Sequence, residues 1–161
     1  AFNFVHLLDY CTEHRLNFAL PPASRILETG GYKGRSRVIS KPELHKIMTE
    51  RLGAAPSHVI TEYGMSELSS QAYDGVVARS NSSRLFRFPP WARVQITSPE
   101  TGHAVAQGQT GLIRVFDLAN VWSVMAIQTE DLGIEYQSGF ELIGRAEGVE
   151  PRGCSLMASD R

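Results

Sequence analysis

Arg25-Ile26-Leu27-Glu28-Thr29-Gly30-Gly31, then Ser40-Lys41-Pro42-Glu43-Leu44-His45-Lys46-Ile47-Met48, and after a Gly53 stop His58-Val59-Ile60-Thr61, is the stretch that decides the fold. The first piece reads as a short buried strand cut off by two glycines. The second carries the marks of a helix start: Ser40 as the cap, Pro42 in the first turn, and Glu43 three residues after the cap. Leu44, Ile47, Met48 and Leu52 form its apolar stripe, and Gly53 is a natural C-terminal stop. The third piece is a second short strand that ends at Tyr63-Gly64. Strand, helix, strand at these lengths predicts a βαβ unit with parallel strands.

Ligands of open α/β sheets bind beyond the carboxyl ends of the strands. Those ends carry Gly30-Gly31-Tyr32-Lys33-Gly34 and Tyr63-Gly64-Met65-Ser66-Glu67, and both are expected to rim one crevice. Upstream, Phe4, Leu7, Leu8 and Cys11 recur at helical spacing, with Leu16 near the end of that helix, before Pro21-Pro22 stops regular structure. Downstream the texture changes near Arg84. Phe86-Arg87-Phe88-Pro89-Pro90-Trp91 is stiff and irregular. Val94 to Thr97, Leu112 to Phe116, Val121 to Ile127 and Phe140 to Ile143 are strand candidates. The sharpest turn signal between them is Ser98-Pro99-Glu100-Thr101-Gly102. The fold class is therefore α/β: a parallel βαβ sheet portion over residues 1–85, then a β-rich subdomain over 86–161.

Composition sets limits. The chain has 161 residues and a net charge of −1. That size can bury a core in one domain or two small ones, and that charge implies no broad attraction to nucleic acid. No apolar run approaches the length of a membrane span, and the first residues do not read as a signal peptide. Cys11 and Cys154 are the only cysteines, too few for a disulfide framework and suited to a reducing cytoplasm. The histidines show no metal-ligand spacing, so no structural metal is expected. A chain that opens at Ala1, without Met, and runs at once into an amphipathic pattern reads as a fragment of a longer protein.

Four segments could carry chemistry. Glycines and cations in Glu28-Thr29-Gly30-Gly31-Tyr32-Lys33-Gly34-Arg35 would let a backbone approach phosphate, although a plain tight turn needs the same glycines. Glu62-Tyr63-Gly64-Met65-Ser66-Glu67 offers an aromatic face, a hinge glycine, a hydroxyl and a carboxylate. It equally fits a strand-to-helix turn capped by Ser66. In Thr129-Glu130-Asp131-Leu132-Gly133, an Asp at a strand end can accept from ribose hydroxyls or cap a turn. In the run from Gly144 to Cys154, Arg152 favours the thiolate of Cys154, while an inert cysteine asks for nothing. Cys11 lies on the apolar stripe of the first helix.

The order of these segments is more specific than any one of them. A Gly-Gly turn, Tyr-Gly-x-Ser-Glu, Thr-x-Asp and Gly-Arg, in that sequence, resembles the later core motifs of the adenylate-forming superfamily of acyl-CoA synthetases, peptide-synthetase adenylation domains and luciferases. Glu28 to Arg35, Glu62 to Gln71 and Gly144 to Leu156 look most like the LuxE-type acyl-protein synthetases. The resemblance runs over essentially the whole chain.

The resemblance implies a fragment of an adenylate-forming enzyme core. Such an enzyme uses ATP and Mg²⁺ to convert a fatty or other carboxylic acid to acyl-AMP, then passes the acyl group to an enzyme cysteine. It implies Tyr63 on adenine with Gly30, Gly31 and Gly64 around it, Ser66 on phosphate and Glu67 on Mg²⁺. Asp131 would hold the ribose hydroxyls with help from Arg145, Glu147 would take the hinge-acid position, and Cys154 would accept the acyl group. An acyl reductase is the implied partner protein. The chain departs from the superfamily in three ways. It has no Ser/Thr/Gly-rich phosphate loop, so the isolated fragment is expected to be inactive. Its segment after Arg145 is short, and no C-terminal domain with a catalytic lysine follows. The alternatives are an acyl- or aryl-CoA ligase, with coenzyme A as acceptor, and a non-catalytic partner-binding module.

Overall fold

The computed structural model describes residues 2–31, 37–75 and 84–146. Contacts divide them into two compact units, residues 2–62 with Gly75, and residues 63–74 with 84–146. The sequence boundary near Leu85 thus differs from the division in the structure. Tyr63 and the turn after it pack with the β-rich part.

In the first unit, helix α1 (Phe2–Glu13) precedes strand β1 (Ile26–Thr29) and helix α2 (Lys41–Leu52). A single 3-10 turn, Pro56–His58, leads into β2 (Val59–Tyr63). β1 and β2 pair in parallel, with Ile26 opposite Val59 and Thr29 opposite Glu62. The βαβ expectation therefore holds. The helix caps are also as read: Ser40 Oγ accepts from Glu43 N, and Gly53 closes α2 at φ 72°. Only glycine adopts that conformation without strain.

The first core gathers Val5, Leu8, Ile26, Leu44, Met48, Leu52 and Val59. Each such side chain stabilises the unit by about 1.5–3 kcal/mol on full burial. Val5, Leu8 and Cys11 are the buried face of α1, whereas Leu7 is exposed. The sequence stripe was centred one residue too far round. Successive residues turn by about 100°, so a face through Val5 and Leu8 points Leu7 away.

The second unit holds β3 (Ala72–Tyr73), β4 (Ala92–Thr97), β5 (Thr110–Asp117), β6 (Ala126–Tyr136) and β7 (Gly139–Arg145). β4 to β7 form an antiparallel sheet in chain order. Tyr63, Leu68, Phe86, Ile96, Ile113, Val115 and Phe140 fill its core. The expected turn at Ser98 forms: Ser98 Oγ accepts from Glu100 N and Thr101 N, and Gly102 sits at φ 69°.

One strand candidate is shorter than its sequence suggests. Val121 to Met125 is not strand, and Val121, Trp122 and Val124 are exposed. The chain instead makes a loop closed by Asp117 N on Met125 O and by Asn120 Nδ2 on Val124 O. An Asp and an Asn three residues apart are strong turn formers, and here they override β-branched neighbours. No helix among the described residues is long and apolar enough to cross a membrane.

Candidate functional site

The third segment reaches its position through an irregularity in β6. Leu112 pairs with Leu132, and the next register pair is Arg114 with Gln128. Ile113 alone therefore faces Thr129, Glu130 and Asp131, which bulge from the ladder. Thr129 Oγ1 takes over the lost bonding by donating to Ile113 O at 2.7 Å and accepting from Asp131 N at 3.1 Å. Gly133 closes the bulge, where a Cβ would come within 2.8 Å of Glu141 O and 2.9 Å of Ile113 Cδ1. Asp131 was read as lying at a strand end; it lies inside an 11-residue strand. The bulge re-aims its side chain, as β-bulges do.

Asp131 and Arg145 are Cα partners across β6 and β7. The next pairs, Leu132 with Gly144 and Gly133 with Leu142, leave Ile143 unpaired, so a second bulge aims Arg145. Its Nε lies 3.5 Å from Asp131 Oδ1, and another guanidinium nitrogen is 2.7 Å from Glu130 Oε2. The remaining carboxylate oxygen, Oδ2, accepts from the Tyr63 hydroxyl at 2.9 Å. Asp131 is thus held on both oxygens while its side chain stays one-fifth exposed, which leaves lone pairs for further donors.

Tyr63 is enclosed. Its ring meets Phe86, Phe88 and Phe140 at centroid distances of 6.0, 6.4 and 5.5 Å, the last two edge-on. Burial, with the Asp131 carboxylate adding to it, pushes the phenol far above its ordinary range. It remains a neutral donor at any working pH. The motif shows the ring as an aromatic face that could stack on a base; its packing among the phenylalanines is not legible there.

Beyond Tyr63 the chain makes a turn rather than the helix start that was the alternative reading. Ser66 and Glu67 are exposed at its apex, and the Ser66 hydroxyl donates to Glu67 Oε2 at 3.1 Å. A Cβ at Gly64 would sit 3.0 Å from Gln71 Cγ, a tight contact that the glutamine side chain would have to relieve by a small shift.

The base of this turn rests on residues the sequence reading did not single out. Asp117, fully buried, accepts from Ser69 N, Ser70 N, Ser70 Oγ and Ala119 N at 2.8–3.0 Å. Asn120 Nδ2 donates to Glu67 O at 2.8 Å, and its Oδ1 accepts from the Ser69 hydroxyl. Trp91 Nε1 donates to Ser70 Oγ. The available signal was Asp117-Leu118-Ala119-Asn120 at the end of an apolar run, a turn former placed where a buried strand ends.

Burial alone would raise the Asp117 pKa, but the donors from Ser70, Ala119 and Ser69 outweigh it and hold the carboxyl below its ordinary value. A pKa lower in the folded than in the unfolded state gives stability that is present above about pH 4 and lost as pH falls through the carboxylate range. Asp117→Asn is expected to cost roughly 1–3 kcal/mol at neutral pH, because buried donors lose their acceptor. Its urea midpoint should also fall less steeply than that of the unsubstituted protein between pH 6 and pH 3. Parallel pH curves for the two proteins would refute this account.

In the first unit, Gly30 stands at φ 74°, and among the described residues no atom lies within 4 Å of where a Cβ on it or on Gly31 would be. Just before them Glu28 is buried and paired with Lys41 Nζ at 2.5 Å. Tyr32 to Arg35, Glu147 and Cys154 lie outside the described residues. Cys11 is buried.

Among the described residues no three His, Cys, Asp or Glu side chains gather as a metal set. A single exposed carboxylate beside a hydroxyl, as at Glu67 and Ser66, suits Mg²⁺. That ion commonly takes one or two protein oxygens and fills its shell from phosphate and water.

A family model described as "Acyl-protein synthetase, LuxE" matches residues 2–161. A long-chain-fatty-acid–luciferin-component ligase of Aliivibrio fischeri is 22% identical over 165 residues, covering 95% of this chain and 42% of that protein. The chain thus spans well under half the length of this relative. Among solved structures, an adenylation domain of a keto acid-selecting NRPS module bound to keto acyl adenylate is similar at TM-score 0.63 and 14% identity, over 92% of this chain and 34% of that one. McyG A-PCP complexed with phenylalanyl-adenylate gives 0.61 and 17%, over 91% and 25%. A benzoate CoA ligase from Burkholderia xenovorans LB400 gives 0.51 and 18%, over 82% and 29%. At these identities the likeness is one of fold.

Proposed function

The chain belongs to the LuxE family of acyl-protein synthetases, and on that premise we propose that the protein activates a carboxylic acid, a long-chain fatty acid first among them, as its acyl adenylate. The observation that carries the reading is the Tyr63–Asp131–Arg145 assembly on the Thr129–Asp131 bulge. It is a preorganised acceptor with spare lone pairs, suited to the vicinal hydroxyls of a ribose.

A carboxylate is a poor electrophile, and adenylation supplies what it lacks. One carboxylate oxygen attacks the α-phosphorus of ATP, the bond to the bridging oxygen breaks, and pyrophosphate leaves. The mixed anhydride then has AMP as a good leaving group. Asp131 orients the ribose, with Tyr63 holding one of its oxygens and Arg145 beside the other. With nucleotide bound, the Ser66 hydroxyl turns from Glu67 to donate to a phosphate oxygen. Glu67 is the residue that would hold Mg²⁺, whose charge offsets that of the phosphates. A place for Gly30 and Gly31 beside the adenine rests on the family resemblance alone. Adenine stacking by Tyr63 rests on the resemblance alone, since three phenylalanines already enclose the ring.

The acyl group then passes to the Cys154 thiolate, forming a thioester as AMP leaves. The acid is proposed from the name of the Aliivibrio fischeri relative. An acyl reductase as the next acceptor rests on the family resemblance.

Acid-dependent exchange of labelled pyrophosphate into ATP by the full-length protein tests the reading. Exchange with a long-chain acid is expected, and its absence with fatty, aryl and short-chain acids alike would overturn it.

A further inference from the structure

The turn that presents Ser66 and Glu67 has little backbone hydrogen bonding of its own. Its apex is exposed, and its one internal backbone bond is Leu68 N on Met65 O at 3.1 Å. Leu68, buried at 7% exposure, anchors one side in the core. The carbonyl of Glu67 is fixed from outside the turn, by Asn120 Nδ2 at 2.8 Å.

Asn120 is itself held by three further contacts. Its Oδ1 accepts from the Ser69 hydroxyl, its Nδ2 also reaches Val124 O, and its backbone N–H donates to Asp117 O. Asp117 ties down Ser69 and Ser70, the two residues that end the turn. Asp117 and Asn120 are both buried, in a loop whose outer residues Val121, Trp122 and Val124 face solvent. A buried polar network of this completeness fixes one geometry.

We propose that Asn120, backed by Asp117, is a positioning residue that fixes the Glu67 backbone and so sets the affinity of its carboxylate for the divalent cation of the nucleotide; this rests on the nucleotide reading above. A carboxylate on a free turn must be ordered at the moment of binding, and that entropy weakens binding. A carboxylate whose backbone is already pinned avoids the cost. Losing the pin therefore acts on cation affinity more than on the rate at saturation.

The test compares full-length wild type with Asn120→Ala and with Asn120→Asp. The Asp variant keeps the acceptor for Ser69 and loses the donor to Glu67, so it serves if the alanine variant folds poorly. Two quantities are read: the Mg²⁺ concentration giving half-maximal pyrophosphate exchange at fixed ATP, and hydrogen–deuterium exchange of peptides over residues 64–70. The expected result is a roughly 3- to 10-fold higher Mg²⁺ requirement, the scale of one hydrogen bond. Exchange over 64–70 should speed up, with the β4–β7 sheet unchanged.

A rate lowered by the same factor at every Mg²⁺ concentration would mean a merely structural role and overturn the proposal. So would unaltered protection of 64–70. If wild type itself shows no pyrophosphate exchange, the nucleotide reading falls on that result. Protection of 64–70, with titration of Mg²⁺ alone against the folded proteins, then decides the positioning role separately.

Discussion

Glu67→Ala is expected to lower acid-dependent pyrophosphate exchange roughly 100- to 1000-fold, the usual cost of removing one preorganised electrostatic stabiliser. Stability should hardly move. Glu67 is exposed, and its side chain's hydrogen bond is to the hydroxyl of its neighbour Ser66. Surface substitutions of that kind usually stay within about 0.5 kcal/mol. The backbone carbonyl that Asn120 holds is retained in the variant. The two effects therefore separate: a large loss of rate against an unchanged urea midpoint. Glu67→Gln removes the charge with almost no change of shape and should fall nearly as far. A folded alanine variant with wild-type exchange would remove Glu67 from the site.

What the sequence showed and what it hid follow from how local each cause is. Ser40, Pro42, Glu43 and Gly53 act within one turn of α2, so the helix could be placed from the string, and the strands at Ile26 and Val59 followed. The stripe of α1 was misplaced because Leu7 and Val5 are equally apolar. Only the packing partner decides between them. Asp131 was recognised as a candidate, but its bulge was not. A bulge is a mismatch between two strands, and Ile113 lies 16 residues before Thr129.

The same argument covers Tyr63. Whether its ring is a platform or a core residue depends on Phe86, Phe88 and Phe140, none near it in the chain. Asp117 and Asn120 were passed over because their partners, Ser69, Ser70 and Glu67, lie some 50 positions away. The motifs thus named the groups that could meet a ligand. The groups that hold them belong to the fold.

Cys154→Ala should abolish stable acylation of the protein while leaving acyl-AMP formation intact, the sharpest separation the reading implies. A covalent acceptor divides activation from delivery. The residues proposed for activation, Tyr63, Ser66, Glu67, Asp131 and Arg145, owe nothing to the cysteine. Arg152, two residues away in sequence, is the cation from which the sequence reading expects the Cys154 thiolate to be favoured. The other cysteine is a poor substitute. Cys11 is 1% exposed on the inner face of α1, so acylating it would require that helix to open. The measurement is labelling by radioactive long-chain acid with ATP, followed by neutral hydroxylamine, which cleaves thioesters and spares oxygen esters. Wild type should carry label that hydroxylamine releases. Cys154→Ala should carry none, and Cys154→Ser at most a slow, resistant ester. Transfer to added coenzyme A with no label on the wild-type protein would favour the CoA-ligase alternative. Undiminished hydroxylamine-labile label on Cys154→Ala would show that another group accepts the acyl chain, with Cys11 the first to examine.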